Sequence, residues 1–229
     1  LGSRFYQRVA SRGKITFDYF NINEFRRGGN KLHLPLHEAD ISESVRHNIH
    51  LASGTFDMLM RDADKISLFF SGQAVDRDSY YGANRDLSAY GKTEDFTYST
   101  GTQYTRQVDH LLFSPASVNV GAEFKGSNLK DEKLGYYNIA EEKHLDNTLI
   151  ADQHLFLTSA FAQSEWKIKE MLISGGLRFD NYRVIDDSGE NKDVTGNVLS
   201  PRINLMYDII HDLQLRAGYA RGFRAPQIF

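Results

Sequence analysis

The 229-residue sequence contains no cysteine, so a disulfide scaffold, a thiolate zinc site and a cysteine nucleophile are excluded. It has only 4 prolines and a single tryptophan. No stretch reaches the roughly 18 consecutive apolar residues that a membrane-spanning helix needs. No charge of one sign dominates: 27 Lys and Arg stand against 30 Asp and Glu, a formal net charge of −3, and the two signs are interleaved. That balance provides neither a broad basic field for nucleic acid nor a charged tail. The opening Leu1-Gly2-Ser3-Arg4 lacks the basic start and apolar core of a signal peptide. Export would therefore rely on a signal removed from, or lying outside, these residues. No His-Glu-x-x-His helix, phosphate loop or Ser-His-Asp order stands out, so the sequence reads as non-enzymatic.

What is present is alternation. The apolar period is 2 almost throughout, and helical spacing is scarce. Ile203, Leu205 and Tyr207 alternate with Arg202, Asn204 and Asp208. After a turn near 210–212, Leu213, Leu215, Ala217 and Tyr219 alternate with Gln214, Arg216 and Gly218. The pattern recurs upstream, in Ile173, Leu177 and Phe179 against Ser174, Arg178 and Asp180. It appears again in Val118, Val120, Ala122 and Phe124 against Asn119, Glu123 and Lys125, and in Ile66, Leu68 and Phe70 against Ser67 and Gln73. Runs of about ten residues with one apolar and one charged face suit tilted strands crossing a bilayer. A mean hydropathy of −0.47 does not oppose this, because a wet-lumened barrel needs only every second residue apolar. The 12 tyrosines and 15 phenylalanines suit strands and membrane interfaces.

Connections take turns between short and long. Short ones are expected near residues 61–64, 109–117, 167–170 and 210–212, and long polar ones near 23–44, 77–93, 130–151 and 185–197. That is the habit of an up-and-down antiparallel barrel with one trimmed rim and one functional rim. The count predicts an all-β chain of about ten strands in one domain over residues 1–229. A soluble β-sandwich shares the alternation but has strands averaging about five or six residues.

Three strings add a resemblance. Leu199-Ser200-Pro201-Arg202-Ile203-Asn204-Leu205, the later Leu215-Arg216-Ala217-Gly218-Tyr219 running into Gly222-Phe223-Arg224-Ala225-Pro226, and Ala160-Phe161-Ala162-Gln163-Ser164-Glu165-Trp166 followed by Gly176-Leu177-Arg178-Phe179-Asp180 together resemble late barrel segments of TonB-dependent outer-membrane receptors, in that family's order. Residues 25–31 and 38–41 are similar in style to receptors of this family from Bacteroides-like bacteria. The resemblance implies a 22-stranded type of barrel around an N-terminal plug, set in outer-membrane lipid. It implies a periplasmic TonB-type energy-coupling partner and import of a scarce small-molecule nutrient such as a metal chelate, haem or cobalamin. Neither a plug nor closing strands are expected within residues 1–229, which read as a fragment of such a barrel. No resident cofactor or nucleic-acid partner is expected. A plug-less passive channel, or a structural or adhesion barrel, is the competing reading.

Candidate ligand-binding residues follow from the long connections. Arg26 and Arg27 are suited to carboxylates or phosphates. His33 and His37 are metal-ligand types, although solvated loop histidines are the commoner outcome, and any metal is unknown. Tyr80 and Tyr81, with Tyr90 further on, offer rings for a flat ligand or for loop packing. His47 and His50 are placed at a polar rim or lumen face. Glu165, Arg178, Asp180, Arg202 and Arg216 share the charged parity and are expected to form a lumenal charge network. Trp166 reads as a residue of the interfacial aromatic girdle.

Overall fold

The computed structural model describes residues 1–60, 64–189 and 192–225. The expected turn at 61–64 lies mostly outside the described residues, as do Pro226 and the last three residues.

Ten strands form one antiparallel sheet. They are β1 (Gly2–Val9), β2 (Gly13–Gly29), β3 (Ile41–Leu59), β4 (Lys65–Ala83), β5 (Tyr90–Leu111), β6 (Ser114–Leu134), β9 (Thr148–Ile168), β10 (Met171–Asp186), β11 (Val194–Ile210) and β12 (Leu213–Ala220). Each pairs with the next, and β6 pairs with β9 because β7 (Tyr136–Asn138) and β8 (Lys143–Leu145) form a separate small hairpin inside the intervening connection. The sheet is open, with β1 and β12 at its edges. Long connections alternate with tight turns, as the spacing predicts.

The strands are longer than the expected ten or so residues: β5 has 22, and β6 and β9 have 21 each. The long connections shrink in proportion. What the sequence presents as a loop over 23–44 is strand to Gly29 and again from Ile41, with one 3-10 turn at Leu36–Glu38 between. Likewise β4 runs to Ala83 and β5 starts at Tyr90, leaving residues 84–89 as the connection.

Register sorts the side chains into two faces. On β4, Ile66, Leu68 and Phe70 lie beside Phe56 and Gly54 of β3 and beside Thr102 and Thr100 of β5, while Ser67, Ser71 and Gln73 lie on the other face beside Asp57, Ser99 and Thr97. The apolar row continues through Val118 and Val120, Ala162, Leu177 and Ile203. Phe70 and Ile203 on this face are 53% and 58% exposed, an arrangement that water does not stabilise and lipid does. On β4 the apolar row covers residues 66–74, which at about 3.4 Å per residue and a tilt of about 45° spans about 20 Å, close to the apolar band of a membrane barrel.

Above that band the same face turns polar at Asn21, His50, Asp76, Glu94, Asn128 and His154, and the strands continue towards the long connections. Polar residues on both faces mark this upper part as a wall standing clear of lipid.

Aromatic rings cover glycines on neighbouring strands. Phe70 lies over Gly54, Phe69 over Gly101 and Phe161 over Gly121, so that a Cβ at any of these glycines would collide with the ring. Such ring-on-glycine pairs pin register in a sheet whose faces are otherwise half exposed. Trp166 stands at the tight-turn end of the apolar face, where Nε1–H donates to Leu111 O at 3.0 Å and the ring packs on Phe113.

Candidate functional site

Strand parity decides which side chains meet. Arg26 and Arg27 are consecutive in β2, so they lie on opposite faces. Arg26 is on the polar face, where Nε–H donates to Glu24 Oε1 at 2.6 Å and Glu24 Oε2 lies 3.3 Å from His47 Nδ1. Arg27 is on the other face and donates through Nη2 to Leu34 O at 2.7 Å, holding the 30–40 connection down. His50 also occupies that other face, 2.8 Å from the Tyr19 hydroxyl. His33 is exposed in the 30–40 connection, one residue before the Leu34 carbonyl that Arg27 holds.

Tyr80 and Tyr81 divide in the same way. Tyr80 is 1% exposed, and its hydroxyl donates to Asp86 O at 2.8 Å. It begins an aromatic clamp. Tyr90 meets it edge-on with ring centroids 4.7 Å apart, His144 lies 4.9 Å from Tyr90, and Tyr137 lies 5.2 Å from His37. His37 Nδ1 and the Tyr90 hydroxyl share a 2.8 Å hydrogen bond. Burial pushes the Tyr90 phenol up to about 12, with neighbouring Tyr80 and Tyr137 adding to the effect. The clamp joins the Leu36–Glu38 turn, the end of β4, the start of β5 and the β7–β8 hairpin. His37 and Tyr80 are thus brought together as packing. No group of three or more His, Asp or Glu side chains is gathered for a metal among the described residues.

Tyr81 faces the polar side, where its hydroxyl accepts from Arg77 Nη2 at 3.1 Å. The two line a recess of about 340 Å³ together with Ser79, Thr93, the cation Lys133 and the acids Asp86, Asp131 and Glu132, at the long-connection end of β4, β5 and β6. Arg77 Nε is buried without a hydrogen-bond partner among the described residues. Among the described residues no carboxylate forms an ion pair with Arg77. A guanidinium with an unsatisfied buried N–H and a neighbouring phenol is chemically suited to an oxyanion, which would accept from both.

Lower on the polar face, Arg178 joins three strands. Nη2 donates to Glu123 Oε2 at 2.9 Å and to Ser159 Oγ at 2.7 Å, and Nε donates to Asp180 Oδ1 at 2.8 Å. Ser159 Oγ also donates to Asp180 Oδ1 at 2.6 Å, and Asp180 is 4% exposed. Of the five charged residues singled out in the sequence, the structure brings Arg178 and Asp180 together. Arg202 bonds to the neutral Gln163, Arg216 to Gln214 on the exposed β12, and Glu165 stands exposed outside the cluster.

Glu123, Ser159, Arg77 and Lys133 escaped the sequence-based selection. Parity gave a usable signal for Glu123, which alternates with Ala122 and Phe124, but nothing local announces a partner 55 residues away.

A family model described as TonB dependent receptor-like, beta-barrel, matches residues 2–229. No curated protein sequence matches. Among solved structures, the ferric-catecholate import receptor Fiu from E. coli K12 superposes with a TM-score of 0.71 at 12% identity, over 96% of this chain and 46% of that one. BauA, the ferric preacinetobactin receptor from Acinetobacter baumannii, gives a TM-score of 0.71 at 9% identity, over 95% and 39%. The alcaligin outer membrane receptor FauA from Bordetella pertussis gives 0.68 at 9% identity, over 96% and 35%. The chain thus spans between about a third and a half of these receptors' lengths, and at such identities the likeness is one of fold.

Proposed function

The chain belongs to the TonB-dependent receptor β-barrel family, and on that premise we propose that the whole protein is an outer-membrane receptor that captures an anionic small-molecule nutrient, such as a metal chelate, and passes it inward with energy from a periplasmic TonB-type partner. The remainder of the barrel and a plug belong, on this reading, to parts of the protein outside residues 1–229. The long-connection rim faces outward, and the polar face of the sheet lines the lumen.

The observation that carries the proposal is the rim recess, where the Arg77 guanidinium has no carboxylate partner among the described residues and its buried Nε–H points to no acceptor. Desolvating an unpaired guanidinium is costly, and an incoming oxyanion relieves that cost. Arg26 and His47 stand on the same face beside it, both turned to Glu24 and leaving Arg77 to the recess.

The test uses cells depleted of their own receptors and supplied with the full-length gene. Accumulation of an anionic ferric chelate at limiting concentration is expected to need both the receptor and the coupling partner, and to fall about tenfold for Arg77→Ala, the loss of roughly one charge-assisted contact. Partner-independent uptake together with steady ion conductance by the purified protein would instead establish a passive channel.

A further inference from the structure

A second recess lies on the lumenal wall at mid-height of the apolar band, well below the rim. Its volume is about 400 Å³, and Asn119, Phe161, Gln163, Arg178, Ser200 and Arg202 line it. Register explains the hollow. Gly176 pairs with Gln163 on one side and Arg202 on the other, so a position without a side chain separates two long ones. One step up, Arg178 lies between Phe161 and Ser200.

The lining is rich in donors. Arg178 is balanced by Glu123 and Asp180, but among the described residues Arg202 bonds only to the neutral carboxamide of Gln163, and no Asp or Glu lines the recess. Asn119 Oδ1 and Ser200 Oγ are buried there without hydrogen-bond partners among the described residues. A hydroxyl can donate to a bound group, and a half-turn of the Asn119 carboxamide presents its NH₂ instead of its oxygen. We infer that this recess binds an oxyanion, a carboxylate or phosphate gripped by the Arg202 fork and completed by Ser200 and Asn119. The oxyanion comes either from the travelling solute or from an acidic side chain elsewhere in the same protein. The inference rests on the lumenal orientation proposed above.

Full-length receptor is purified in detergent, and binding of labelled succinate and inorganic phosphate is followed by equilibrium dialysis at fixed ionic strength. Arg202 is exposed, so its replacement leaves the sheet intact. Arg202→Gln is expected to weaken binding at least tenfold, Arg202→Lys to keep part of it, and Arg216→Gln, on the exposed β12 outside this recess, to leave it unchanged. If the oxyanion is internal, wild type binds neither probe, and Arg202→Gln instead raises hydrogen exchange in an acidic segment outside residues 1–229. The inference is overturned if neither effect is seen, or if Arg216→Gln weakens binding as much as Arg202→Gln does. A receptor that binds here but imports nothing in cells would defeat the proposed function and leave the recess standing.

Discussion

Tyr80 and Tyr81 are adjacent in sequence and serve opposite sides of the wall: one hydroxyl donates to Asp86 O beneath the clamp, and the other accepts from Arg77 in the rim recess. Their substitutions should therefore separate. Tyr80→Phe is expected to cost about 1 kcal/mol of stability, the net worth of one buried hydrogen bond, and to speed amide exchange across residues 84–89. Tyr81→Phe should leave stability within about 0.5 kcal/mol and weaken solute capture instead. Thermal unfolding and exchange, read beside uptake, check the pair, and matching effects at both positions would contradict the two-faced placement.

The clamp carries a pH signature of its own. Tyr90 titrates from 10.0 in the unfolded chain and near 12 in the folded one. Between those values the unfolded state has lost a proton that the folded state keeps, so stability should be flat below about pH 10 and fall as pH rises towards 12. Tyr90→Phe removes this part of the decline, along with the bond to His37. Absorbance titration of the folded protein should show a late tyrosinate transition that the variant lacks. An ordinary transition near pH 10 for every tyrosine would contradict the burial of Tyr90.

Gly54 tests the ring-on-glycine pairs. A Cβ there would run into Phe70, and the side chain rather than backbone is what it meets. Gly54→Ala is expected to destabilise by about 1–3 kcal/mol through overpacking. Pairing it with Phe70→Leu should recover most of that loss, a coupling that a double-mutant cycle on unfolding measures directly. Additive costs would mean that the ring is free to move aside.

The sequence made the lower half of the sheet legible and the upper half obscure, for one physical reason. Between Ile66 and Ala74 the contrast between lipid and lumen writes itself as alternation. From Asp76 through Arg77 and Asp78 both faces are polar, the contrast disappears, and strand looks like loop. Arg26 with Arg27, and Tyr80 with Tyr81, consequently read as loop pairs sharing one site. The order of short and long connections survived because turns carry their own chemistry. The Arg178 cluster was only half visible, since Glu123 reaches it across the intervening β9 and register cannot be read from local pattern. His144, which sits on a three-residue strand, gave no periodic signal at all.

The polar upper wall has a consequence for what the rim senses. On β4 it runs from Asp76 to Ala83, which at about 3.4 Å per residue and the same tilt lifts Arg77 and its neighbours some 5–20 Å above the lipid boundary. The Debye length in physiological salt is about 8 Å, so the wall from Asp78 upward lies beyond the electrostatic shadow of an anionic membrane surface, and Arg77 stands at its edge. On the proposed outward orientation of the rim, an anion reaching the top of this wall near Tyr81 is screened from the repulsion of the surface beneath it.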